Sequence, residues 1–138
     1  MRNLFAAAAC VSLALAPLGA EAGAVAASSP NGVWRNPKNS VHVRIANCGS
    51  NVCGTVVWAN ARAQQTARAG GTANLIGTQL FREFRQTGPG AWSGRVFAPD
   101  RGRSFSGSLR LSGPNNIVAR GCLIGGFFCR SQTWTRIG

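Results

Sequence analysis

The side chains able to do chemistry are few, and their spacing says more about what the chain does not do. His42 is the only histidine, and the carboxylates are Glu21, Glu83 and Asp100, three in 138 residues. A histidine acting as a general base wants an orienting carboxylate. Alternation along Val41, His42, Val43, Arg44 instead puts His42 on the polar face, beside a cation. Asp100 stands in the turn sequence Pro99-Asp100-Arg101-Gly102, where aspartate commonly bonds its own backbone. Ser104, Ser106 and Ser108 recur at period two with no base nearby. No Ser/His/Asp set, phosphate-cradling glycine loop or calcium cage is legible, so hydrolase chemistry is a minor reading. No cofactor is implied.

The cysteines are the next reactive group. Cys48 and Cys53 enclose Gly-Ser-Asn-Val, and Cys122 and Cys129 enclose a six-residue run of apolar residues and glycine. Neither spacing is C-x-x-C, and His42 is the only imidazole available, so a metal site is disfavoured. Four cysteines allow three pairings; two local bridges, Cys48 to Cys53 and Cys122 to Cys129, are the favoured set, each pinching a hairpin. Loops this short stabilise by roughly 2 kcal/mol each in the chain-entropy account. The fifth cysteine, Cys10, falls in the apolar N-terminal stretch.

That stretch reads as an address. Arg2 precedes an apolar run over residues 4–18, and Ala20-Glu21-Ala22 has the small-residue spacing of a cleavage site, with a second candidate after Ala26. The run is shorter than the ~20 residues a spanning helix needs. Residues 1–22 are therefore expected to be a signal peptide, residues 23–31 a flexible leader, and residues 32–138 one domain in the periplasm or outside the cell. Loss of Arg2 with Glu21 leaves the formal charge of +12 unchanged, and loss of Cys10 leaves an even cysteine count, which suits an oxidising compartment.

The elements that must position these groups are short. Apolar and polar residues alternate in Val41–Ile45, in Trp92–Val96 and through residues 104–111, and further strands are expected near 33–35, 52–58, 75–84, 116–121 and 130–137. Turn residues separate them, among them Asn36-Pro37, Gly88-Pro89-Gly90 and Gly113-Pro114-Asn115. Asn60 suits the cap of a short helix over residues 61–69, stopped by Gly70-Gly71, although its faces are not amphipathic and an irregular loop fits equally well. About eight short strands imply an all-β domain, an antiparallel sheet closed into a barrel or folded as a sandwich.

Several motifs resemble the exported bacterial family catalogued as domain of unknown function 2147. They are Gly32-Val33-Trp34, Cys48 with Cys53-Gly54, Trp92-Ser93-Gly94, the run from Pro99 to Gly107, and Gly121-Cys122 through Gly125-Gly126 and Cys129 to Gln132-Thr133-Trp134-Thr135-Arg136. The resemblance implies a small up-and-down β-barrel of the calycin and lipocalin kind and no established activity. It also implies that Trp34 plugs one barrel end, with Arg136 or Arg130 over its ring, a contact worth about 0.5–1 kcal/mol when exposed. Residues 59–74 depart from the family pattern: they are Ala-, Gln- and Gly-rich and hold no carboxylate.

The functional expectation is a non-catalytic binding module. Trp34, Trp58, Trp92, Phe105, Trp134 and Arg136 are the candidates for the barrel end or a ligand lining, with plain filling of the barrel as the competing reading. The apolar run between Cys122 and Cys129 either folds inward as a plug or stays exposed as a contact patch. Arg44, Arg95, Arg101, Arg103 and Arg110 are candidates for contacting an anionic cell-envelope polymer. Such a surface attracts anions over a Debye length of about 8 Å at physiological salt. Dispersal of the arginines from 35 to 136, and export itself, argue against nucleic acid. The expected partner is a small apolar or amphipathic ligand or the envelope polymer; a structural envelope component with a filled barrel is the alternative.

Overall fold

The computed structural model describes Ala14, residues 29–123 and residues 127–138. The expected signal peptide, apart from that one residue, and most of the leader fall outside that set. Eight antiparallel strands close into an up-and-down barrel, each paired with its neighbours in sequence and the last with the first. They are β1 (Gly32–Arg35), β2 (Val41–Cys48), β3 (Asn51–Ala59), β4 (Gln79–Gly88), β5 (Ala91–Ala98), β6 (Arg103–Leu111), β7 (Asn116–Leu123) and β8 (Phe127–Arg136). One helix, α1 (Ala61–Ala69), joins β3 to β4, so helix rather than irregular loop forms there. A closed barrel is the solution alternation favours, because it buries one face of every strand and leaves few edges.

The core follows the alternation where strands are regular. Val43 and Ile45 on β2, Val52 and Val56 on β3, Leu109 on β6 and Ile117 on β7 point inward and are buried. Two bulges change the parity and so decide which aromatics are inside. In β4 the register shifts between Arg82 and Arg85, and Glu83 takes a left-handed backbone conformation (φ 52°). The extra residue turns both Phe81 and Phe84 into the barrel, although they are three positions apart. Their rings meet edge to face at 5.8 Å, and Phe81 meets Trp134 at 5.5 Å. Room for Phe81 comes from Gly54, where a Cβ would lie 2.5 Å from its ring. In the β2–β3 pair the register shifts beside His42, so that Val43 faces Val56 but His42 faces Trp58. Trp58 is thereby thrown outside.

The expected strand over 75–84 begins later and runs further: residues 75–78 are a turn, where Gly77 N–H and Val56 N–H donate to the Val56 and Thr78 carbonyls respectively.

The strands give the barrel two distinct ends. The first gathers residues 29–31, the β2–β3, β4–β5 and β6–β7 turns, and the C-terminal residues. The second gathers the turn of residues 36–40, α1, the β5–β6 turn and the β7–β8 connection. Closure between β1 and β8 rests on two facing pairs, Trp34 with Arg136 and Arg35 with Thr135. β7, by contrast, pairs with β8 from Thr135 up to Phe127, so the far part of β8 runs along β7 alone.

Candidate functional site

At the first end, the indole of Trp34 is fully buried and its Nε1–H donates to the Pro30 carbonyl at 2.8 Å. The Arg136 guanidinium lies 4.3 Å over the ring and donates to the carbonyls of Pro114, Asn31 and Ser29. A planar fork with several donors suits this clamp better than an ammonium would. Residues 29–31, read from sequence as the end of a flexible leader, are thus held across the barrel mouth. Arg130, the other candidate for covering Trp34, is exposed far up β8.

At the second end, α1 crosses the barrel as a strut fastened at both ends. The Asn60 side chain accepts from Ala63 N–H, and Asn60 N–H donates to the Ser40 carbonyl, tying the helix start to the 36–40 turn. At its other end Gly70 lies so close to the Asp100 backbone that no Cβ could be accommodated. Thr72 donates through Oγ1 to the Pro99 carbonyl at 2.8 Å and through N–H to the Ala67 carbonyl. Between these fastenings only Ala67 of the helix is buried.

Beneath the strut is an open-mouthed cavity of about 480 Å³. Leu75, Leu80 and Trp134 give it an apolar floor, and Lys38, Arg62 and Asp100 stand at its mouth. Trp134 is 5% exposed, and its Nε1–H is buried with no hydrogen-bond acceptor. An unmet buried donor costs about 1–3 kcal/mol, and this one is packed inside the wall with almost no surface open to the cavity. The site is an apolar shelf with one buried donor and a mixed-charge rim. It can hold an amphipathic molecule; it has no nucleophile and base in contact. Among the described residues no group of three His, Cys, Asp or Glu side chains could hold a metal. A second cavity of about 240 Å³ lies at the first end against Phe84 and Trp92, under Ser29 and Pro30.

The sequence candidates are therefore divided. Trp134 lines the main cavity, Trp92 the smaller one, and Trp34 with Arg136 seals the first end. Phe105 is half-buried on the inner face of β6, opposite Val96, and lines neither cavity. Trp58 is not a lining residue: the bulge leaves it 41% exposed on the outer wall, its ring 4.4 Å from that of His42. His42 Nε2 is 2.7 Å from Asn39 Oδ1. Burial of the ring, and then the nearby Arg35 charge, lower its pKa below the ordinary 6.5. Arg44, Arg95, Arg101, Arg103 and Arg110 are all exposed; Arg95, Arg103 and Arg110 lie on the paired strands β5 and β6 with Arg101 in the turn between them, and Arg44 stands apart on β2.

The cysteines stand at bonding distance as two local pairs. Cys48 and Cys53 have Cα atoms 5.8 Å apart, and Cys122 and Cys129 face one another across β7 and β8 at 4.0 Å. Of the run between the second pair, Phe127 and Phe128 are 72% and 78% exposed and Leu123 is half-buried, while residues 124–126, on which the plug reading also rests, lie outside the described residues. Lys38, Arg62, Leu75 and Leu80 were not legible as site residues. Their one signal was the Asn60 cap, which announces a helix in a connection that a plain hairpin does not need.

A family model described as an uncharacterized protein conserved in bacteria, DUF2147, matches residues 32–136. Among solved structures, the chain is similar to protein HP1028 from the human pathogen Helicobacter pylori, described as belonging to the lipocalin family. The TM-score is 0.63 at 9% identity, over 80% of this chain and 84% of that one. At that identity the likeness is one of fold. No curated protein matches the chain.

Proposed function

The chain belongs to the bacterial family DUF2147, and on that premise we propose that it is an exported, non-catalytic binding module whose strutted cavity holds a small amphipathic ligand with an anionic head. The observation that carries this reading is the cavity under α1, with an apolar floor of Leu75, Leu80 and Trp134 and the cations Lys38 and Arg62 at its rim. An aliphatic tail lies on the leucines and the indole, and an anionic head group meets Lys38 and Arg62 at the mouth. A site of this size and composition is within the ordinary range for small-molecule pockets. Two cystines support a location beyond the cytoplasm. A periplasmic or secreted protein with residues 1–22 or 1–26 removed agrees with them.

The test is titration with dodecanoate and dodecyl phosphate, followed by tryptophan emission and native mass spectrometry. Saturable binding at one equivalent is expected. Ala63→Trp, which fills the space under α1, should abolish it, and Lys38→Gln with Arg62→Gln should weaken it about fivefold through loss of the cationic rim. Binding that survives Ala63→Trp unchanged, or no binding of either probe, would overturn the assignment. The competing reading, attraction of an envelope polymer by scattered arginines, has in its favour the exposure of Arg44, Arg95 and Arg110 on the barrel walls.

A further inference from the structure

The far end of the β7–β8 hairpin is unlike the rest of the surface. Phe127 and Phe128 are adjacent and are the most exposed large apolar side chains among the described residues. Phe128 sits at φ 58°, a left-handed conformation that aromatic residues avoid, at the position where the β7–β8 register shifts. The extra residue takes its ring out of the inward and outward alternation. The bridge between Cys122 and Cys129 ties the two strands just behind it, so the hairpin holds its shape without support from β1.

The surroundings are mainly cationic; Asp100, on the β5–β6 turn at the same barrel end, is the acidic side chain among the described residues there. Arg120 and Arg130 flank the cystine on β7 and β8. β6 runs alongside with Ser106 facing Cys122, which brings Arg103 level with the tip. From residue 101 to the C-terminus the sequence contains six arginines and no carboxylate. A second copy bearing the same +12 charge would be repelled from this face. Paired exposed aromatic rings, with arginines on both faces of the strands behind them, match a surface that is apolar within and phosphate-bearing at its boundary.

We propose that the exposed pair Phe127 and Phe128, at the start of β8, is a wedge that docks the protein on an anionic lipid bilayer. Phe127 and Phe128 enter the acyl boundary, and Arg103, Arg120 and Arg130 meet lipid phosphates. This reading is independent of the cavity at the same barrel end and would place the cavity mouth near the lipid.

Co-sedimentation of the exported protein with vesicles tests it, using phosphatidylcholine alone and an equal mixture with phosphatidylglycerol. Strong, salt-sensitive partition into the mixed vesicles and weak partition into the neutral ones are expected. Phe127→Ser with Phe128→Ser should lower partition roughly 30-fold, from the apolar area withdrawn. Arg120→Gln and Arg130→Gln should each lower it about fivefold. Arg44→Gln with Arg110→Gln, on the walls, should matter far less. Near-UV circular dichroism identical to that of the parent establishes that the tip variants are folded. Ala63→Trp, which blocks the cavity, should leave partition unchanged, so failure of the ligand reading and failure of this one are distinguishable. Equal partition into both vesicle types, no partition into either, or a double phenylalanine variant that binds like the parent would overturn the proposal.

Discussion

At one end of the barrel an indole lies fully buried beneath a guanidinium that reaches three backbone carbonyls; at the other, a nine-residue helix with one buried side chain spans a cavity of about 480 Å³. The same strands supply both ends, with the same alternation, so the contrast comes from what each end has to fill it. Near Trp34 the inward positions hold Ile45, Phe84, Leu109 and Ile117, all fully buried. Toward α1 the inward positions are only partly covered, as at Phe105 and Leu123, and the helix offers alanine where a larger side chain would close the gap. A barrel of this size is just filled when every layer is large. Small residues in one segment are enough to leave about 480 Å³ at one end against about 240 Å³ at the other.

The contrast can be broken most forcibly at the sealed end. Trp34→Ala should cost about 3–5 kcal/mol, through lost burial and the cavity left behind. Denaturant unfolding followed by circular dichroism measures it. If the cost proves no greater than for Trp134→Ala, the two ends are equally tight and the comparison fails. Next in size, Gly70→Ala should push the helix end off the Asp100 backbone and cost about 1–3 kcal/mol. Hydrogen exchange of the α1 amides should rise while the amides of β6 and β7 stay protected, which places the effect in the strut. The smallest effect is a pH dependence. The pKa of His42 is depressed in the fold by burial and by Arg35, so the folded state binds its proton less readily than the unfolded chain. Stability is therefore full above the ordinary 6.5 and declines as pH falls from there through the lower folded value. Thermal melts at descending pH should show the decline, and His42→Gln should remove it. Because His42 bonds Asn39, in the turn beside Lys38 and Ser40, the loosening should appear at the cavity mouth and not around Trp34.

Much of the barrel was legible in the sequence because alternation and turn residues act locally. Val41, Val43 and Ile45, or Leu109 and Leu111, declare an inward face within a few residues, and Asn60 with Gly70-Gly71 marks both ends of α1. Parity after a bulge is not local. Trp58 reads as inward from Val52 and Val56, and only the pairing of His42 with Trp58 shows that it is outside. Phe81 and Phe84 read as lying on opposite faces until Glu83 adopts its left-handed backbone. The cavity was hidden for a related reason. Its floor and rim come from the 36–40 turn, α1, β4, the β5–β6 turn and β8, and no window of sequence contains them together. The departure of residues 59–74 from the family pattern was visible, but its significance depends on where α1 lies, over the larger cavity.

The brevity of the junction between first and last strands also governs how the molecule comes apart. Beyond its two facing residue pairs, that junction is reinforced by exchanges between Val33 and the backbone of Ile137 and Gly138. Unzipping there turns a seamless cylinder into an open ribbon with two bare margins, each able to template another chain. Trimming or fusing the final two residues removes stitches from the weakest suture, and the expected penalty is polymerisation by exchanged strands before any loss of the interior.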